Sequence, residues 1–197
     1  MAETKKVILD AGHGGTTDPG AVYQGRQEKN DNLRMALAVG QILSEDGVDV
    51  GYTRVQDVYQ SPLQKAQMAN NWEADYFVSF HRNAMPVPGT ASGTESLIFS
   101  RGGEAEQLAS NINAELGQAG WNDLGTTERP GLIVLRKTEM PAVLVEVGFL
   151  DNPEDNQRFD AHFEHTARAI ADGILNTLRS PEGQPEYYQI QVGAYAD

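Results

Sequence analysis

Apolar residues in this chain fall into two kinds of run. Short apolar blocks bounded by glycine, proline or charge read as buried strands, and longer stretches with apolar residues three and four apart read as amphipathic helices. The strand candidates are residues 6 to 10, Val48 to Thr53, Tyr76 to Phe80, about Thr94 to Ser100, Ile133 to Arg136 and Ala142 to Val147. A first helix from about Glu28 to Ser44 is marked by Leu33, Ala36, Leu37, Gly40 and Leu43, with Gly47 as its stop. Ser61-Pro62-Leu63-Gln64 supplies an N-cap, a proline at the first helical position and a capping-box partner for a second helix through about Asn71. Leu108, Ile112 and Leu116 mark a third, closed off by Gly117 and Gly120; Asn152-Pro153 opens a short one, and Phe163, Ala167, Ile170, Ile174 and Leu178 define the terminal one. Residues 16 to 27 read as a loop and 118 to 131 as irregular.

Strands alternating with helices predict an α/β fold, a mostly parallel twisted sheet of about six strands with helices on both faces. Ligands bind such sheets beyond the carboxyl ends of the strands. His13, His81 and Glu146 all lie at or just past such ends. His13 sits in Asp10-Ala11-Gly12-His13-Gly14-Gly15, where the glycines remove side chains that would keep a ligand at a distance.

Composition narrows the chemistry. At 197 residues and 40% hydrophobic, the chain is long enough for one domain and an appendage. It has no cysteine, so disulfides and thiolate metal sites are excluded and any metal must be held by histidine, carboxylate and water. A net charge of -13 argues against nucleic acid, whose binding depends on Lys and Arg neutralising phosphates, and gives an anionic polymer no long-range attraction. No apolar run approaches the roughly 18 residues of a membrane span, and the N-terminus enters the first strand without a signal-peptide core.

Two histidines and a carboxylate around zinc, with a fourth position left to water, form the ligand set of a hydrolytic site, and a separate carboxylate must take the proton. Glu28 and Glu146 are the candidates for these two roles, with Asp10 behind them; spacing alone leaves open which does which. Each has a plainer reading: a histidine at a strand end is often a hydrogen-bonded structural group, and Glu28 at a helix start is favoured by the helix dipole. Glu146 resists one, because a carboxylate inside the apolar run from Ala142 to Val147 is costly to bury without a partner or a task. His162 and His165 lie among Phe159 and Phe163, away from the strand ends, and read as structural.

These residues carry a resemblance. Val7 to Gly15, the acidic helix start at Glu28 with Asn32-Leu33, Phe80-His81-Arg82-Asn83-Ala84, and the run from Met140 to Asn152 together resemble the zinc-dependent N-acetylmuramoyl-L-alanine amidases of the type 3 family, over about residues 6 to 178. The resemblance implies that His13, Glu28 and His81 ligate one zinc ion and that Glu146 is the general base. It implies hydrolysis of the amide joining the lactyl group of N-acetylmuramic acid to L-alanine, with peptidoglycan as the partner, no nucleic acid, and a monomer. Asp10 is then expected to orient His13 from behind. Arg82 departs from the family pattern, which has a small or amidic residue there; it is expected either to meet a stem-peptide carboxylate or to be exposed without a special role. Glu95 reads as solvent-facing or cleft-facing. Another zinc amide hydrolase such as a carboxypeptidase is the alternative within this chemistry. A non-catalytic wall-binding protein is the alternative outside it, although all four site positions are filled.

The carboxyl-terminal residues carry a second resemblance. Residues 1–179 form the expected catalytic domain, 180–186 a linker, and 187–197 (Tyr187-Tyr188-Gln189-Ile190-Gln191-Val192-Gly193-Ala194-Tyr195 and beyond) resemble the opening of a SPOR domain, a glycan-binding repeat, cut short. The expected place of action is the bacterial wall, outside the cell or in a mother-cell or lysis context.

Overall fold

The computed structural model describes residues 4–179. The linker and SPOR-like residues expected beyond Arg179 lie outside the described residues. In chain order the elements are β1 (Lys6–Ala11), β2 (Val22–Tyr23), β3 (Arg26–Gln27), α1 (Glu28–Glu45), β4 (Asp49–Tyr52), α2 (Pro62–Asn71) and β5 (Tyr76–Asn83). They continue as β6 (Thr94–Ile98), α3 (Gly103–Gln118), β7 (Asp123–Glu128), α4 (Ile133–Arg136), β8 (Ala142–Phe149), α5 (Pro153–Ala161) and α6 (Phe163–Arg179).

Six strands form one sheet in the order β4-β1-β5-β8-β6-β7, parallel throughout except where β6 runs antiparallel to β8. The expected α/β architecture is therefore present. Strand alternation sorts the core into two layers. Val7, Leu9, Val78, Phe80, Val143 and Val145 pack under α1, α3 and α6, whereas Ile8, Phe77, Leu97, Ala142 and Leu144 pack under α2 and α4. Toward the carboxyl end of the sheet the second face opens into a cavity of about 340 Å³ between Pro62 and Lys65 on one side and Leu132 and Ile133 on the other.

The structure corrects three local readings. Ile133–Arg136 is a turn of helix, not a strand. Its apolar run is as long as a short strand, and runs of this length do not distinguish the two states; Val134 and Leu135 reach the core as a helical pair. The sixth strand is instead β7, inside the stretch expected to be irregular. Its sequence Asp-Leu-Gly-Thr-Thr-Glu forms a half-exposed edge with a shifted register beside β6, so no apolar run marks it. The expected loop 16–27 contains the β2–β3 hairpin, turned by Gln24 (φ 49°) and Gly25 (φ 83°), whose positive φ values suit a two-residue hairpin.

Candidate active site

Three elements bring His13, Glu28 and His81 together. β1 ends at Ala11, and His13 follows it in the left-handed region (φ 59°) with positive φ at Gly14 and Gly15 as well. A side chain on Gly12 would meet the His81 ring at 2.3 Å, so glycine there lets the two histidines approach. Their rings stand edge to face with centroids 4.9 Å apart. Glu28 is the first residue of α1 and only 4% exposed. It lies where the helix dipole favours a negative charge.

Each of these side chains is held. Glu28 Oε2 accepts from the Ala21 amide at 2.8 Å and lies 3.3 Å from His13 Nε2. Its Oε1 accepts from Asn32 Nδ2 at 3.2 Å and the Arg82 amide at 3.1 Å, and lies 2.8 Å from His81 Nδ1. His13 Nδ1 is 2.7 Å from Asp18 Oδ1. A carboxylate on Nδ1 fixes the ring so that Nε2 faces Glu28, protonated in the metal-free protein and free to ligate once that proton leaves. Burial opposes the charge on Glu28, but its hydrogen bonds and charge interactions with His13 and His81 prevail and take it well below the usual carboxylate range. Burial likewise acts downward on His13, yet Glu28 and Asp18 hold it up at about 9. One ligand atom from each of His13, Glu28 and His81 lies within 4.8 Å of the others, so the group can hold a metal ion.

Glu146 pairs with His81 across β5 and β8 and shares its face of the sheet. Its Oε2 is buried and has no hydrogen-bond partner among the described residues. Burial pushes the carboxyl up to about 7, with Glu28 and Glu95 adding to the rise and His81 opposing it. A carboxyl poised near neutrality beside a metal-competent cluster can both take and return a proton.

Other expectations resolve differently. Asp10, expected to orient His13, is buried and takes up Thr53 Oγ1 (2.6 Å), Ser79 Oγ (2.6 Å) and Lys65 Nζ (2.8 Å) instead. The carboxylate on His13 is Asp18, which the sequence showed only as part of an Asp-Pro-Gly turn; its signal was an acid five residues beyond a glycine-flanked histidine. Arg82 neither meets the cavity nor lies exposed. One residue after His81 on an extended strand, it points to the opposite face, where it pairs with Asp31 at 2.6 Å and donates to Asn156 Oδ1 at 2.8 Å. Glu95 faces the same side as Glu146 and accepts from the Thr127 hydroxyl. His162 and His165 are exposed on the far side, His162 lining a separate polar cleft with Glu154 and Arg158.

Residues 7–176 match the family profile described as N-acetylmuramoyl-L-alanine amidase. A sporulation-specific N-acetylmuramoyl-L-alanine amidase of Bacillus subtilis is 35% identical over 197 residues, covering 96% of this chain and 75% of that protein. The crystal structure of an N-acetylmuramoyl-L-alanine amidase from Clostridium difficile 630 superposes with a TM-score of 0.86 at 33% identity, over 91% of this chain and 99% of that one. The catalytic domain of an N-acetylmuramoyl-L-alanine amidase from Bacillus (Paenibacillus) polymyxa superposes with a TM-score of 0.81 at 36% identity, over 89% of this chain and 98% of the other.

Proposed function

The chain belongs to the N-acetylmuramoyl-L-alanine amidase family, a family of cell-wall hydrolases, and from that membership we propose how its site works: His13, Glu28 and His81 hold one zinc ion, and Glu146 is the general base. The observation that carries this reading is the convergence of one carboxylate and two imidazoles on a common point, beside a buried carboxylate oxygen without a partner. The donor set fits zinc, since two nitrogens and one carboxylate leave a position for water or substrate.

When bound, zinc supplies Lewis acidity, which brings a water toward ionisation near neutral pH and draws charge from the carbonyl under attack. The residues do the rest. Glu146 takes a proton from the attacking water, its carboxyl being held near 7, and returns it to the nitrogen of the stem-peptide alanine as the amide breaks. Asp18 holds the His13 ring in one tautomer, and the Asn32 side chain and the Ala21 and Arg82 amides fix both oxygens of Glu28. The cavity between α2 and α4 receives the substrate, its apolar wall at Leu132, Ile133 and Leu144 screening the bond from bulk water.

Mass spectrometry of digested peptidoglycan tests bond and activity together. Free L-alanine amino termini are expected, abolished by a chelator and restored by zinc; release of a carboxyl-terminal amino acid would identify a carboxypeptidase instead. Glu146→Gln is expected to retain zinc and to lose about 10²- to 10⁴-fold in rate. Full activity in that variant would end the assignment of the base.

A further inference from the structure

The turn that carries His13 has almost no side chains with which to pack. Gly12, Gly14 and Gly15 surround the histidine, and His13 itself is in the left-handed region, which costs a residue bearing a Cβ about 1 kcal/mol or more. Its shape is set instead through its carbonyl oxygens. Arg54 Nε donates to Ala11 O at 3.0 Å and Arg54 Nη2 to Gly12 O at 3.1 Å. Lys65 Nζ donates to Ala11 O at 2.7 Å, and Lys29 Nζ to Gly15 O at 2.9 Å. Three buried cations thus grip one glycine-rich turn from behind.

Arg54 is the unusual member. Lys65 is paired with Asp10 and Lys29 with Asp57, but the guanidinium is only 4% exposed and has no carboxylate within ion-pair distance among the described residues. Its remaining donors also go to main-chain oxygens, Nη1 to Gln56 O at 3.1 Å and Nη2 to Lys29 O at 2.8 Å. Burial lowers its pKa despite the more distant attraction of Asp10, Asp57 and Asp18. A guanidinium buried against carbonyls alone costs more than an apolar residue of similar size would. What it provides is geometry, because the planar fork spans two successive carbonyls at once and a lysine ammonium cannot reproduce that.

We propose that Arg54 is a positioning residue for His13: by bridging the carbonyls of Ala11 and Gly12 it holds the left-handed turn that aims the His13 ring at Glu28 and His81. The proposal rests on the reading of His13 as a metal ligand. Removing the fork lets the turn relax toward ordinary backbone conformations, and the ring leaves the position it shares with the other two ligands.

The test is metal affinity in the whole chain, measured by chelator competition with zinc and by the visible spectrum of the cobalt-loaded protein, with melting temperature recorded in parallel. Arg54→Gln is expected to bind zinc about 10- to 100-fold more weakly and to show an altered cobalt spectrum. Leu116→Ala, a cavity in the core beneath α3, is the control: it is expected to lower the melting temperature without moving the affinity or the spectrum. Should Arg54→Gln not fold, Arg54→Lys carries the test, with weaker zinc binding expected although the charge is kept. Wild-type affinity and spectrum in whichever variant folds would overturn the proposal. Absence of zinc binding in the wild-type protein would overturn it together with the reading of the site, so the two failures are distinguished by the wild-type measurement.

Discussion

Glu95 lies directly opposite Glu146 across the antiparallel junction of β6 and β8, on the face of the sheet that also carries His81. Residues so paired have Cβ atoms about 4.5–5.5 Å apart, and like charges at that distance raise each other's cost of ionisation. Burial is the main reason the Glu146 carboxyl is pushed up to about 7, and Glu95 contributes to the same rise. Glu95→Gln keeps an acceptor for the Thr127 hydroxyl and removes the charge. Glu146 then ionises more easily, so the acidic limb of the pH profile of kcat/KM moves to lower pH, by up to about one unit. An unmoved limb, or one displaced upward, would show that Glu95 does not act on the base.

Metal uptake should be coupled to proton release. Below about pH 9 His13 keeps its proton, because Glu28 and Asp18 outweigh the effect of burial. A metal needs the lone pair that this proton occupies, so apparent affinity rises with pH, about tenfold per unit, until the ring deprotonates. The pairing has its own pH window in the metal-free protein. The contribution of His13, raised from 6.5, is complete below that value and is lost as pH rises through about 9. The contribution of Glu28, depressed from 4.5, is complete above that value and is lost as pH falls below it. Calorimetry at pH 7 in two buffers of different ionisation enthalpy should show roughly one proton released per metal bound. Identical heats in both buffers, with affinity independent of pH, would contradict the state assigned to His13.

How far the sequence revealed the molecule depended on how each residue is held. The buried strands were legible because Val7–Leu9, Phe77–Val78 and Val143–Val145 are apolar on both faces, as a covered parallel sheet requires. β7 was not, because an edge strand of half-exposed Thr and Glu has nothing to alternate. His13, His81 and Glu146 could be picked out as candidates from strand ends, but the role proposed for Glu28 needed the family resemblance, since a helix-start carboxylate looks the same whether or not histidines converge on it. The partner of His13 was misassigned to Asp10. Asp10 is nearer in sequence, but Thr53, Ser79 and Lys65 engage its oxygens, and Asp18 returns to the ring through the Gly14–Asp18 bridge. The direction of Arg82 was available from alternation alone, being one residue from a cleft-facing histidine.

Gly12→Ala should weaken metal binding and strain the turn while keeping the overall fold. The added methyl would stand 2.3 Å from His81 Nε2 and 2.7 Å from the carbonyl oxygen of Phe80. The Phe80 carbonyl accepts the Gly12 amide at 3.0 Å and belongs to a central strand, so it cannot retreat. The His81 ring must therefore move, and the turn at Gly12 must shift away from the Phe80 carbonyl, which disturbs the fit of both histidines around Glu28. The expected result is a loss of zinc affinity of about tenfold or more with near-native circular dichroism. Wild-type affinity would mean that the two histidines need not approach as closely as the structure has them.

Arg82 supplies a prediction that separates stability from recognition. Its guanidinium is 2% exposed, pairs with Asp31 at 2.6 Å, donates to Asn156 at 2.8 Å and stacks 4.2 Å from the Phe159 ring, tying β5 to α1 and α5. Burial pulls its pKa down to about 10 against the attraction of Asp31, which still leaves it charged at neutral pH. Removing one partner of a buried pair costs ~3–5 kcal/mol; the lower end is expected for Arg82→Ala, because Arg26 also holds Asp31 at 2.7 Å. Arg82→Met keeps much of the volume over Phe159 and should lose less. Arg82 points to the face opposite the cavity, so both variants should keep the wild-type KM for peptidoglycan when assayed well below their melting temperatures. Urea unfolding and steady-state kinetics on the same preparations decide the matter: a raised KM with unchanged unfolding would restore a substrate-facing role for Arg82, whereas lowered stability with unchanged KM places it in the frame that holds α1, and with it Glu28, against the sheet.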